Sequence, residues 1–139
     1  MFYTRSGIAL RVNAVKTIVI FASKLGSTRR VAEYIAGKIG SEFIDLKKNP
    51  APDVSGFDRI ILGTGVYVGS ISKRMIAFIK NADLSGKDVR MFVCCMLKGE
   101  NGDEQLRQIN DKYGFPVVSF YGKNKEPPSV TIDEFVASL

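Results

Sequence analysis

The stretch Thr17-Ile18-Val19-Ile20-Phe21-Ala22-Ser23-Lys24-Leu25-Gly26-Ser27-Thr28 decides the fold of this chain. It opens on a continuous apolar, β-branched run, the pattern of a strand buried on both faces of a parallel sheet. The run passes into a loop of small and hydroxylated residues. From Ser27 to Ile39 the apolar residues then fall at helical spacing: Val31, Ile35 and Ile39, with Ala32 and Tyr34 beside them. Ser27 is the expected N-cap and Gly40 the expected stop. The first turn of such a helix exposes unbonded N–H groups and the positive end of its dipole, which together seat a phosphate. Ser23, Ser27 and Thr28 would add hydroxyl donors, and Gly26 lets the backbone approach an anion closely.

Further along, strands are predicted at 16–22, 43–46, 58–63, 88–96 and 117–121. Helices are predicted at 27–39, 72–80, 102–113 and 131–139, and the turn-rich Lys48-Asn49-Pro50-Ala51-Pro52 separates the second and third strands. This alternation implies an α/β domain: a five-stranded parallel sheet covered by helices on both faces, in three layers. Five strands with single crossovers fit the order 2-1-3-4-5, in which ligands bind beyond the carboxyl ends of the strands, at the switch between the first and third. Two loops leave those strands, Ser23–Thr28 and Thr64-Gly65-Val66-Tyr67-Val68-Gly69-Ser70, so both should flank one crevice.

The chain has 139 residues, 45% apolar and 24% charged, which suits one globular domain with a real core. Residues 1–15 lack amphipathic period and are expected to be a disordered or non-native extension, leaving 16–139 as the single domain. No apolar run reaches the roughly 18 residues of a membrane span. The net charge is +6 and there is no histidine, which removes imidazole bases, Ser/His and Cys/His pairs and most zinc sites. The cations are scattered, with no nucleic-acid motif; they suit a solvated surface or an acidic partner. Cys94 and Cys95 are neighbours on a strand and point to opposite faces, as two reduced thiols would in a reducing compartment, unless one of them serves a redox role. With no export signal, the expected location is cytoplasmic.

The phosphate cradle alone does not name a ligand. There is no G-x-x-x-x-G-K-[ST], so the chain is not a P-loop NTPase, and the first turn lacks G-x-G-x-x-G. A phospho-acceptor domain of this topology would want an Asp ending the third strand, where Gly63-Thr64 stands. A cysteine phosphatase would want Cys and Arg in the first loop, which holds no Cys.

At this point the chain resembles the flavodoxin-like FMN-binding proteins over residues 16–122. Their first loop reads roughly [ST]-x-T-G-x-T, matched here by Ser23, Gly26 and Thr28, with Leu25 standing where a hydroxyl is usual. Gly63-Thr64-Gly65-Val66-Tyr67-Val68-Gly69-Ser70 is similar to the family's turn after the third strand. The resemblance implies FMN as cofactor. The ribityl phosphate would lie on Ser23, Lys24, Gly26, Ser27 and Thr28. The ring would be flanked by Thr64, Gly65, Val66, Tyr67, Val68 and Gly69 and closed in by Met96, Leu97 and Lys98 of the third loop, Met96 to Gly102. Tyr67 would be the stacking aromatic, or else pack on the rim without a ligand, and no second aromatic stands in the third loop. Lys24 and Arg29 stand near the phosphate, either as counter-charges or as solvated surface cations. A cation at Lys98 would favour a negatively charged reduced ring.

The implied function is electron transfer or flavin-dependent oxidoreduction with a redox protein or a small-molecule acceptor, and it assigns no catalytic side chain and no metal. Two other readings stand beside it. One is the short flavodoxin-type protoporphyrinogen oxidases, similar in Lys16–Phe21 and Gly26–Ala32 and in being basic. Those enzymes carry a long loop near the fifth strand, where this chain has only about twenty residues between strands four and five, most of them helical. The other is a flavodoxin-shaped module that binds a partner and no flavin.

Overall fold

A computed structural model describes residues 4–5, 8–9, 15–24, 26–67, 70–94, 99–120 and 129–139. The apolar run becomes β1 (Thr17–Ala22), and the helical pattern becomes α1 (Ser27–Ile39). Next come β2 (Glu42–Asp45), β3 (Arg59–Tyr67), β4 (Ser70–Ile71) and α2 (Lys73–Asn81). The chain continues through β5 (Asp88–Cys94), α3 (Gly99–Tyr113), β6 (Val117–Phe120) and α4 (Ser129–Ala137). The main sheet runs β2-β1-β3-β5-β6 with every pair parallel. Counting only these five strands, this is the expected order 2-1-3-4-5. Outside the sheet, Thr4–Arg5 pairs antiparallel with Ile8–Ala9.

Strand β3 departs from expectation. It runs four residues past its predicted end, through Thr64, Gly65, Val66 and Tyr67, and returns as β4, with Val66 opposite Ile71 and Tyr67 opposite Ser70. The two glycines made this stretch read as loop, since Gly weakens a strand. In the sheet, Gly63 lies opposite Phe92, and a Cβ on it would sit 2.1 Å from the Phe92 ring. The glycine is there to admit a neighbouring aromatic. Helix α3 likewise begins at Gly99 rather than Gly102, so half of the expected third loop is helical. The remaining described boundaries shift by one or two residues, the spread expected at element ends, and the predicted strand ends at 95–96 and 121 lie outside the described residues.

Two cores lie on the two faces of the sheet, as continuous apolar strands require. On one face Val19, Phe21, Ile61 and Phe92 pack against Val31 and Ile35 of α1 and Ile132 and Phe135 of α4. On the other, Ile18, Ile20, Leu62, Met91 and Val93 pack against Met75 and Phe78 of α2 and Ile109 of α3. Polar ties fix the outer helices to this frame. Tyr34 Oη donates to Asp133 Oδ1 at 2.6 Å, joining α1 to α4, and this bond holds the Tyr34 hydroxyl above its ordinary pKa. Arg90 donates to the Ser138 carbonyl at 2.9 Å while also contacting Asp88, which Arg59 holds from the neighbouring strand. The chain end is thereby tied to the start of β5.

Candidate functional site

Parallel strands deliver their C-terminal loops to one edge, and β1 and β3 are neighbours whose partner strands β2 and β5 lie on opposite sides. The loop after β1 and the β3–β4 hairpin therefore flank one crevice at the switch point. Helix α1 begins there without help from any side chain. Its N-cap is Gly26, at φ +93°, with no side-chain cap, and its first turn carries no acidic residue. The sequence reading put the cap at Ser27, one residue late. The left-handed backbone at Gly26, which L side chains avoid, ends the loop and starts the helix in one step.

Ser23 shapes this loop from within. Gly26 N–H donates to Ser23 Oγ at 3.0 Å, and the Ser23 hydroxyl keeps its own proton to donate. Thr28, the second residue of α1, is 2% exposed, and its hydroxyl meets no hydrogen-bond partner among the described residues. Buried hydroxyls are ordinarily satisfied, so an orphaned one beside an uncapped helix start is what an absent oxyanion would complete. Ser27 is half-buried and Lys24 is exposed at the same loop; Leu25 lies outside the described residues.

Cations arrange themselves differently from expectation. Arg29 is committed to carboxylates, with Nε 2.9 Å from Glu33 and Nη1 3.7 Å from Asp45. It is Arg30, which the motif reading passed over, that reaches back: its Nη2 lies 3.8 Å from where a Gly26 Cβ would stand. Arg30 is four residues after Gly26, so the helical repeat itself was the signal for it.

On the hairpin side, Thr64 is fully buried and its hydroxyl is spent internally. It accepts from Ser72 N–H at 3.1 Å and donates to the Gly65 carbonyl at 2.9 Å, pinning β3 to the start of α2. Ser72 caps α2 by accepting from Arg74 N–H. Gly65 and Val66 are buried strand residues and Tyr67 ends the strand. Val68, Gly69, Met96, Leu97 and Lys98 lie outside the described residues. The structure thus brings Ser23, Lys24, Gly26, Ser27 and Thr28 together in one turn.

Comparison with known proteins agrees with this fold. Residues 18–121 match the model of the flavodoxin domain. A flavodoxin of Maridesulfovibrio salexigens is 30% identical over 91 residues, which span 57% of this chain and 62% of that relative's length. The fold superposes on oxidised flavodoxin 1 from Bacillus cereus with a TM-score of 0.62 at 24% identity, over 88% of this chain and 95% of the other. A mutant Fusobacterium nucleatum flavodoxin bound to flavin mononucleotide gives a TM-score of 0.51 at 25% identity, over 81% and 75%. With the family model covering most of the chain and the sheet order matching, the protein belongs to the flavodoxin family.

Proposed function

We propose that this chain binds FMN and serves as a redox protein. The observation that carries the reading is the uncapped start of α1, where a left-handed glycine and an orphaned buried Thr28 hydroxyl stand at the switch point. The N–H groups of the first turn and the Thr28 hydroxyl would receive the phosphate, with the Ser23 hydroxyl as a further donor. Lys24 and Arg30 supply positive charge nearby, and no acidic residue in the turn opposes it. Thr64 ties β3 to the start of α2; the family resemblance assigns Gly65 to Gly69 to one side of the ring, with Met96, Leu97 and Lys98 on the other. When bound, the flavin supplies the electron chemistry; the protein contributes position and electrostatics. A relative that carries the cofactor supports the reading, since the Fusobacterium nucleatum flavodoxin is a complex with flavin mononucleotide. The partner is a redox protein or small-molecule acceptor, complementary to a chain of net charge +6, and the reading is of a cytoplasmic protein.

Titrating FMN and following the quenching of its fluorescence tests this. Binding at one per chain is expected. Gly26→Asp should abolish it, because the change forces φ +93° on a side chain and places a carboxylate at the phosphate seat. Thr28→Val should weaken FMN by about tenfold while leaving the flavin-free protein as stable as before or more so, since an unpaired buried hydroxyl is removed. A chain that stays colourless after loading with FMN would overturn the proposal and leave a flavin-free partner module.

A further inference from the structure

The outer face of α2 and the turn after β2 carry positive charge that the fold does not use. Helix α2 holds three cations and no acidic residue, with Met75 and Phe78 buried against the core. Its exposed positions are Lys73, Arg74, Ala77, Lys80 and Asn81, a cationic stripe at helical spacing. Lys73 and Arg74 lie in the first turn, at the positive end of the helix dipole, where acids stabilise and cations oppose. Helix stability therefore does not account for their placement.

The turn after β2 adds Lys47 and Lys48, both exposed, and the stretch 46–52 contains no acid. Lys47, Lys73 and Arg74 line one opening, which puts the turn and the helix start on the same flank of the domain. The carboxylate beside them, Asp45, is taken: Arg29 approaches it at 3.7 Å and it accepts Lys47 N–H at 2.9 Å. Lys47, Lys48, Lys73, Arg74 and Lys80 form no ion pair among the described residues. The amino edge of the sheet is different. There Arg59 and Arg90 both hold Asp88, and Lys87 donates to the Phe57 carbonyl at 2.8 Å. Positive charge is thus left open on one flank and neutralised at the far edge.

From Lys73 to Lys80 the stripe runs about 10 Å along the helix, and Lys47 and Lys48 widen it, so its complement is a protein-sized surface. We infer that this flank is the docking surface for an acidic redox protein, one whose carboxylates surround its own electron-carrying centre. The partner's redox character rests on the FMN reading, because the flank borders the crevice given to the flavin; the cationic surface itself needs no flavin. Opposite charges there steer the encounter and fix its orientation. One electron then leaves the partner's reduced centre and enters the flavin.

The test titrates an acidic plant-type ferredoxin into the full chain, with and without FMN, reading amide line broadening by NMR; a second arm mixes reduced ferredoxin with the FMN-loaded chain. Saturable broadening at 46–48 and 73–80, lost at high salt, is expected in both FMN states. K73Q/R74Q and K47Q/K48Q should each slow association and electron transfer about tenfold at low salt. K38Q/K112Q removes the same charge from the last turns of α1 and α3 and should change both by less than about twofold. All six side chains are exposed, so the variants should fold, and FMN affinity should stay within about twofold. Equal slowing by K38Q/K112Q overturns the inference, since net charge alone would then steer. So does FMN affinity falling in step with the flank variants, which would give these cations to the cofactor. Absence of saturable broadening, or broadening by single-stranded RNA and none by ferredoxin, overturns it as well. Failure of FMN to bind, with ferredoxin still broadening these amides, leaves the docking surface standing and refutes the flavin reading.

Discussion

Replacing Gly63 by Ala adds one methyl group, and the sheet geometry says where it goes. Gly63 lies opposite Phe92 on the face that packs against α1 and α4. The new Cβ would stand 2.1 Å from Cζ of that ring and 2.6 and 2.7 Å from its two ε carbons. Carbon atoms in contact prefer roughly 3.5–4.0 Å, so the ring must retreat by more than 1 Å. It has nowhere to go. Phe92 is fully buried and tilts against Phe120 at 5.5 Å between centroids; Phe120 in turn meets Phe135 of α4 edge-on at 5.9 Å. Ordinary overpacking costs about 1–3 kcal/mol, and displacing a whole buried Phe costs about 3–5 kcal/mol. The expected loss lies where those ranges meet, at about 3 kcal/mol, a large part of the roughly 5–15 kcal/mol that stabilises a typical domain.

Urea unfolding measures it. With a slope of about 1.5 kcal/mol per molar, the midpoint should fall by about 2 M. Steric origin is then isolated by a cycle with Phe92→Leu, which alone should cost about 1.5 kcal/mol. If the two losses added, the double variant would lie about 4.5 kcal/mol below the parent; relief of the clash should bring it to within about 2–3 kcal/mol. A Gly63→Ala loss under about 1 kcal/mol, or a strictly additive cycle, would refute the claim that Phe92 dictates this glycine.

Two further outcomes follow from the polar ties. Thr64→Val leaves Ser72 N–H without its acceptor at the start of α2 and should cost about 1–3 kcal/mol; hydrogen exchange at Ser72 should accelerate, and unchanged exchange would refute the pin. Asp88 accepts from Arg90 and Arg59, and these guanidiniums, Arg90 first, hold its carboxyl below the usual range. A depressed carboxyl stabilises the fold above its unfolded pKa, and that contribution is lost as pH falls through its folded value. The side chain is 38% exposed, so screening leaves about 1 kcal/mol or less. Asp88→Asn should therefore lie below the parent in urea midpoint at pH 7 and converge with it towards pH 3; a constant gap would refute the linkage.

The features legible in the sequence are those fixed by local chemistry. Helix α1 occupies its predicted span, and Gly40 ends it in the left-handed conformation a C-cap glycine adopts. The strand order followed from the alternation of elements and the lengths of the crossovers. What was illegible depended on partners remote in the chain. The role of Gly63 is set by Phe92, 29 residues later and on another strand, and a glycine justified by a distant ring looks the same in sequence as a glycine in a turn. Thr64 shows the same limit within the site. As a hydroxyl beside a glycine it resembled a ligand contact, yet the sheet buries it and α2 engages it. Thr28 is the converse: burial by α1 packing withdraws it from water while the described residues of the loop offer no partner, so its unsatisfied state emerges only once both elements are in place. A residue type at a motif position thus marks a candidate; whether its hydrogen-bonding capacity is already spent decides what it does. By that criterion the Thr28 hydroxyl at the start of α1 is still available to a ligand, whereas that of Thr64 is spent on Ser72 and Gly65.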